Sequence, residues 1–119
     1  MQEVNDFLTE KTRSSFQDFL IPKVLIHNKA FENLSMKAIY LYCVFLNKVI
    51  YSEKDNFADE QGYLFVVCTT KEILEMLNCS QEKMEKCYAE LSEFGLIKNE
   101  PEQDGKYKVY LRDYTKFVT

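Results

Sequence analysis

The chain has one histidine (His27), no tryptophan, two prolines and three glycines in 119 residues. Each scarcity closes off a class of function. A single histidine cannot complete a tetrahedral metal site with cysteines at 43, 68, 79 and 87, which contain no C-x-x-C pair. There is no nucleophile elbow and no phosphate-cradling glycine loop, and Gly62, Gly95 and Gly105 all sit where turns are needed. The acids are scattered along helix surfaces, so no carboxylate pair can be argued. The sequence therefore predicts a protein that is not an enzyme and that takes no cofactor and no metal. No apolar run reaches the ~20 residues of a membrane span, so no membrane partner is expected. Met1 to Glu10 holds three acids and no apolar stretch, so it does not read as a signal peptide. Unpaired thiols without such a peptide predict a cytoplasmic location.

What is present is a core. Hydrophobic residues make up 46% of the chain and aromatics 14%, in a length that suits one domain. Residues 1–15 are polar with scattered apolar positions and read as a flexible arm, leaving residues 16–119 as the folded domain. From Phe16 to Leu25 a short apolar segment is interrupted by Pro22, which suits an edge strand or an irregular crossing. Ser35 caps a long helix running to about Tyr51, with Leu34 and Ile39 as its hydrophobic staple. That helix is apolar nearly all round and should be buried. Tyr40, Tyr42, Phe45 and Tyr51 at helical spacing read as core and not as a ligand box.

The stretch from Cys68 to Leu111 is marked most clearly. Thr69 and Glu72 can form a capping box, with Cys68 and Ile73 as the flanking staple. The short helix that follows stops at Asn78-Cys79, and Ser80 caps the next. Met84, Cys87, Tyr88 and Leu91 give this second helix one apolar face. Gly95 suits a left-handed C′ position, with Leu96 returning onto Leu91. Before this pair, Asn56 to Tyr63 reads as a hairpin closing at Gly62, with a return strand through Val67. After it, Leu96-Ile97-Lys98 and Lys106 to Leu111 flank the turn-forming Asn99 to Gly105. Tyr107, Val109 and Leu111 alternate with Lys106, Lys108 and Tyr110, so one face of that strand packs inward. The expected fold is α+β: a winged helix-turn-helix with a helical core, an extra β-hairpin before the helix-turn-helix and a C-terminal wing hairpin.

That layout points to double-stranded DNA, yet the net charge is -4. From Ser80 to Gly105 seven acids face three lysines. From Lys106 to Arg112 the sign reverses. With the apolar face of the second helix buried, Gln81, Glu82, Lys83, Glu85, Lys86 and Glu90 point outward. Gln81 can read adenine, Lys83 and Lys86 can reach guanine, and Glu82 can accept from cytosine. Lys71, Lys106, Lys108 and Arg112 are the candidates for phosphate contact. Two readings stand on the residues alone. One is a sequence-specific DNA-binding domain. The other is a winged-helix module for protein interaction or transcription regulation, with weak or no DNA binding and an acidic face turned to a protein.

Several ordered motifs favour the first reading. They are Leu34-Ser35-x-x-Ala38, Val49-Ile50-Tyr51-Ser52, Asn56-Phe57-x-Asp59-x-x-Gly62-x-x-Phe65, Leu77-Asn78-Cys79-Ser80 and Leu91-x-x-x-Gly95-Leu96-Ile97. In this order and spacing the chain resembles the N-terminal domain of the RepA-type plasmid replication initiators of bacteria. The resemblance implies a homodimer binding repeated boxes in a replication origin. It also implies that this is the N-terminal domain of a longer initiator, whose C-terminal domain contacts host replication proteins. The sequence departs from the family at Asn47-Lys48, where an Asp-Arg pair is usual, and at Phe57, where tryptophan is usual. The family's recognition helix and wing are also usually more basic than Gln81–Glu93 and Glu100–Lys108.

Overall fold

The structure, a computed structural model, describes residues 7, 9–10, 19–51, 57–102 and 105–118, with the side chains of Phe57 and Pro101 left aside. Most of the expected N-terminal arm lies outside the described residues. Pro22 opens neither strand nor irregular crossing. It stands immediately before a short helix, α1 (Lys23–His27), where its fixed φ of -59° is already suited to the turn and its missing amide costs nothing. Asn47 ties the preceding segment to the next helix: its side-chain amide donates to the Leu20 carbonyl and its oxygen accepts from the Leu20 amide, both at 2.9 Å. An aspartate at this position could accept but not donate.

After a 3-10 turn (Lys29–Phe31) comes α2 (Met36–Tyr51), whose residues Ala38 to Phe45 include the most deeply buried of the molecule. Leu34 and Ile39, the staple pair, are both buried. Burial does not extend to the last turn: Tyr51, expected in the core, is 65% exposed. Tyr42 is core, and its hydroxyl donates to the Arg112 carbonyl at 2.8 Å. Burial raises its pKa well above the ordinary phenol range.

The described strands are β1 (Phe57–Ala58), β2 (Leu64–Thr69), β3 (Ile97–Pro101) and β4 (Lys106–Leu111). They form one antiparallel sheet in the order β1-β2-β4-β3. The expected hairpin is β1 with β2, closing at Gly62 with φ +84°, and the wing is β3 with β4. Between them lie α3 (Thr70–Leu77) and α4 (Gln81–Phe94). α2 packs on α4 and on one face of the sheet, where Val66, Cys68, Ile97 and Val109 are buried.

α4 ends as its sequence predicts. Gly95 has φ +97°, the Leu96 amide donates to the Leu91 carbonyl at 3.0 Å, and the Gly95 amide donates to Ser92 at 3.1 Å. This is a complete Schellman motif, with Leu91 and Leu96 both fully buried. Glu90 departs from its expected outward position. Its carboxylate accepts from the Ser35 amide at 2.7 Å and from the Ser35 hydroxyl at 2.8 Å, fastening α4 to the start of α2.

Two stability measurements check these joints. Gly95→Val should destabilise the domain by about 1–3 kcal/mol, the cost of holding a β-branched residue at positive φ. An unchanged denaturation midpoint would contradict the left-handed ending. Glu90→Ala strands two donors of Ser35 and should cost about 1.5–3 kcal/mol, and a neutral result would show that water replaces the carboxylate without loss.

Candidate nucleic-acid interface

Local capping chemistry places the two helices of the motif. The Thr69 hydroxyl accepts from the Glu72 amide at 3.1 Å, which fixes the start of α3. The reciprocal half of the expected capping box is not made: the Glu72 carboxylate turns to the Lys48 ammonium, 3.9 Å away. α3 stops at Asn78, which adopts the left-handed conformation at φ 50°. Ser80 then caps α4, its hydroxyl accepting from the Lys83 amide at 3.2 Å. Ile73 and Leu77 of α3 and Met84, Cys87, Tyr88 and Leu91 of α4 are buried. That burial leaves Gln81, Glu82, Lys83, Glu85 and Lys86 exposed at the start of α4. Their charges are partly paired along the helix. Gln81 donates to Glu85 at 3.3 Å, and Lys86 lies 3.9 Å from Glu82 with both side chains solvated. Such pairs are weak and open at little cost when a stronger partner arrives.

The wing brings a second cation to the helix-turn-helix. Strand register sets Lys106 opposite Thr69, the cap of α3, and the Thr70 hydroxyl approaches the Gly105 carbonyl at 3.4 Å. Lys106 and Lys71, both exposed, therefore share one corner of the molecule, at the wing and the first turn of α3.

Two other expected contacts lie elsewhere. Lys108 does not project freely from the wing. Its ammonium sits 4.3 Å from the centroid of the Phe65 ring and 5.3 Å from that of Tyr110. Interaction with the Tyr110 hydroxyl raises its pKa above the ordinary lysine range. Arg112 follows the opposite end of β4, roughly 20 Å from Lys106 at the rise of an extended strand. It is not part of the corner that Lys71 and Lys106 form. Sequence reasoning also passed over Phe65 and Tyr63 as surface aromatics. The available signal was the period-2 series Tyr63, Phe65, Val67, Thr69, of which Phe65, Val67 and Thr69 stand opposite Tyr110, Lys108 and Lys106 across the sheet.

The cysteines form no disulfide, and Cys43, Cys68 and Cys87 are buried. Burial pushes the Cys43 thiol up to about 11 and raises that of Cys87, which suits packing and not ligation. Among the described residues no cluster of His, Cys, Asp or Glu could hold a metal ion, and no helix is long and apolar enough to cross a membrane.

Comparison with solved structures places this architecture. The chain is similar to a structure described as the N-terminal domain of a DNA-binding protein, at 24% identity and a TM-score of 0.69, covering 92% of this chain and 85% of that one. It is equally similar to a Rep–DNA complex, at 24% identity and a TM-score of 0.70, over 91% of this chain and 84% of that one. A third, described as an MDR initiator, shares 25% identity with a TM-score of 0.69, over 91% of this chain and 86% of that one. The comparison with curated protein sequences gave no match. Residues 17–119 match the family model of the N-terminus of replication initiator protein A, RepA, and the chain belongs to that family.

Proposed function

We propose that this chain is the DNA-binding domain of a plasmid replication initiator and that it recognises repeated boxes in a replication origin. The reading rests on one observation above all: the capped start of α4 leaves Gln81, Glu82, Lys83, Glu85 and Lys86 exposed, in a chain of the initiator family. The similarity to a Rep–DNA complex supports it. In this arrangement α4 enters the major groove, where Gln81, Lys83 and Lys86 meet base edges. Lys71 and Lys106 hold phosphates on either side of the entry. Glu82 and Glu85 act against wrong sequences, because a carboxylate near phosphate is tolerated only where a base donor compensates it. The protein acts by binding, not by catalysis. In a longer initiator, contacts with the host replication machinery fall to a domain that follows this one.

The domain works as a homodimer, which lets two recognition helices engage paired boxes. The segment around Pro22 is the proposed interface. It exposes Phe19 (40%), Leu20 (37%), Ile21 (45%) and Ile26 (39%) in one short stretch.

Binding to an origin repeat and to random duplex across a salt series tests the DNA reading. Lys71→Ala with Lys106→Ala should weaken both duplexes alike and lower the log–log salt slope by about 0.9 per lost contact. Lys83→Ala or Lys86→Ala should cost about 1–3 kcal/mol more on the repeat than on random DNA. If no duplex binds at low salt, the protein-interaction reading replaces this one. The dimer is tested by sedimentation at micromolar concentration, which should give twice the 14.1 kDa chain mass. A single species at the chain mass would contradict it.

A further inference from the structure

Phe19, Leu20 and Ile21 run toward Pro22 outside any helix or strand. A residue before proline is biased to the extended region, so Ile21 disfavours a helical turn here. An extended segment without a neighbouring strand must have its backbone groups satisfied from elsewhere. For Leu20 the partner is one side chain, Asn47 of α2. Its Oδ1 accepts from the Leu20 amide and its Nδ2 donates to the Leu20 carbonyl, each at the same short distance of 2.9 Å. Nδ2 also donates to the Cys43 carbonyl at 2.7 Å, one turn back along α2. The oxygen and both hydrogens of this amide are therefore engaged, and a carboxylate of the same shape lacks the hydrogens.

The main chain is pinned, yet the side chains are not buried. Phe19 leans on Tyr40, with ring centroids 5.5 Å apart, two turns before Asn47 on the same side of α2. Even so, Phe19, Leu20 and Ile21 all remain exposed. Three adjacent apolar side chains on an anchored backbone form a surface suited to another apolar surface.

We propose that Asn47 is the positioning residue of the homodimer. It holds the Phe19–Ile21 backbone against α2, so that these three side chains are presented already ordered to the same segment of a second copy. The inference rests on the dimer reading given above. A two-fold contact places the same residues on both sides, so apolar side chains meet apolar side chains without any need for opposite charge. A segment ordered beforehand spares each copy the entropy of fixing it on association. An aspartate at this position would still accept from the Leu20 amide but would set a charged oxygen against the Leu20 carbonyl. Alanine would leave both groups to water.

Sedimentation equilibrium and amide hydrogen exchange on the whole chain test the proposal. The wild type should dimerise at micromolar concentration, and its Leu20 amide should be protected even in dilute monomer. Ile21→Ser should be monomeric with the Leu20 amide still protected. Asn47→Asp should raise the dimer dissociation constant about tenfold or more, as expected when each copy loses a backbone hydrogen bond. It should also expose the Leu20 amide while the amides of α4 keep their protection. A merely stabilising role would instead lower protection in α4 and leave the dissociation constant unmoved. If the new carboxylate disturbs α4, Asn47→Ala, which adds no charge, decides the question by the same two readouts. The proposal is overturned if the wild type is dimeric and the Asn47 variants dimerise as tightly, a result that leaves the dimer reading standing. It is equally overturned if Ile21→Ser remains dimeric, which would place the interface elsewhere. A monomeric wild type would remove the dimer reading itself, and this inference with it.

Discussion

The antiparallel pairing of β2 with β4 is the constraint on which the surface arrangement depends. β2 leads directly into α3 through Thr69, and β4 returns from the wing through Lys106. Because Thr69 and Lys106 are register partners, the wing is locked beside the start of the helix-turn-helix. A one-residue slip of β4 would turn Val109 out of the core and move Lys106 to the other face. The hydrophobic contents of the sheet and the position of its basic corner are thus set by the same register.

The helices are held to that sheet by a few polar joints set in an apolar core. Tyr42 of α2 reaches past the sheet to the Arg112 carbonyl, while the Arg112 amide donates to Leu96 at 2.8 Å. Glu90 fastens α4 to Ser35, whose hydroxyl also caps α2 through the Ala38 amide at 3.1 Å. One carboxylate therefore serves a helix start on a different element, where it meets the positive end of the helix dipole. These joints orient α4 on α2, and so determine which side of α4 faces solvent.

Features written in local chemistry were legible in the sequence. Thr69, Ser80 and Gly95 act within four residues of themselves, so their caps follow from residue type and spacing alone. The apolar faces of α2 and α4 and the alternation in β4 were legible for the same reason. What depends on tertiary register was not. Glu90 looks like any other acid on a solvated helix until α2 is packed against it. Lys106 and Lys108 look equivalent in the strand, yet one meets Thr69 and the other lies over the Phe65 ring. Arg112 follows Lys106 closely in sequence but stands at the opposite end of β4. Pro22 was ambiguous because its fixed φ fits both a strand edge and the entry of a helix, and the flanking apolar residues did not decide between them.

On the proposed reading the duplex surface is formed by α4, Lys71 and Lys106, away from the Arg112 end of β4. Amide chemical-shift mapping during titration with a duplex origin repeat tests that assignment most directly. The account predicts shifts concentrated at Gln81 to Lys86, Lys71 and Lys106, with Tyr63 and Arg112 unmoved. Shifts confined to Tyr63, Arg112 and Lys116, with α4 silent, would contradict it.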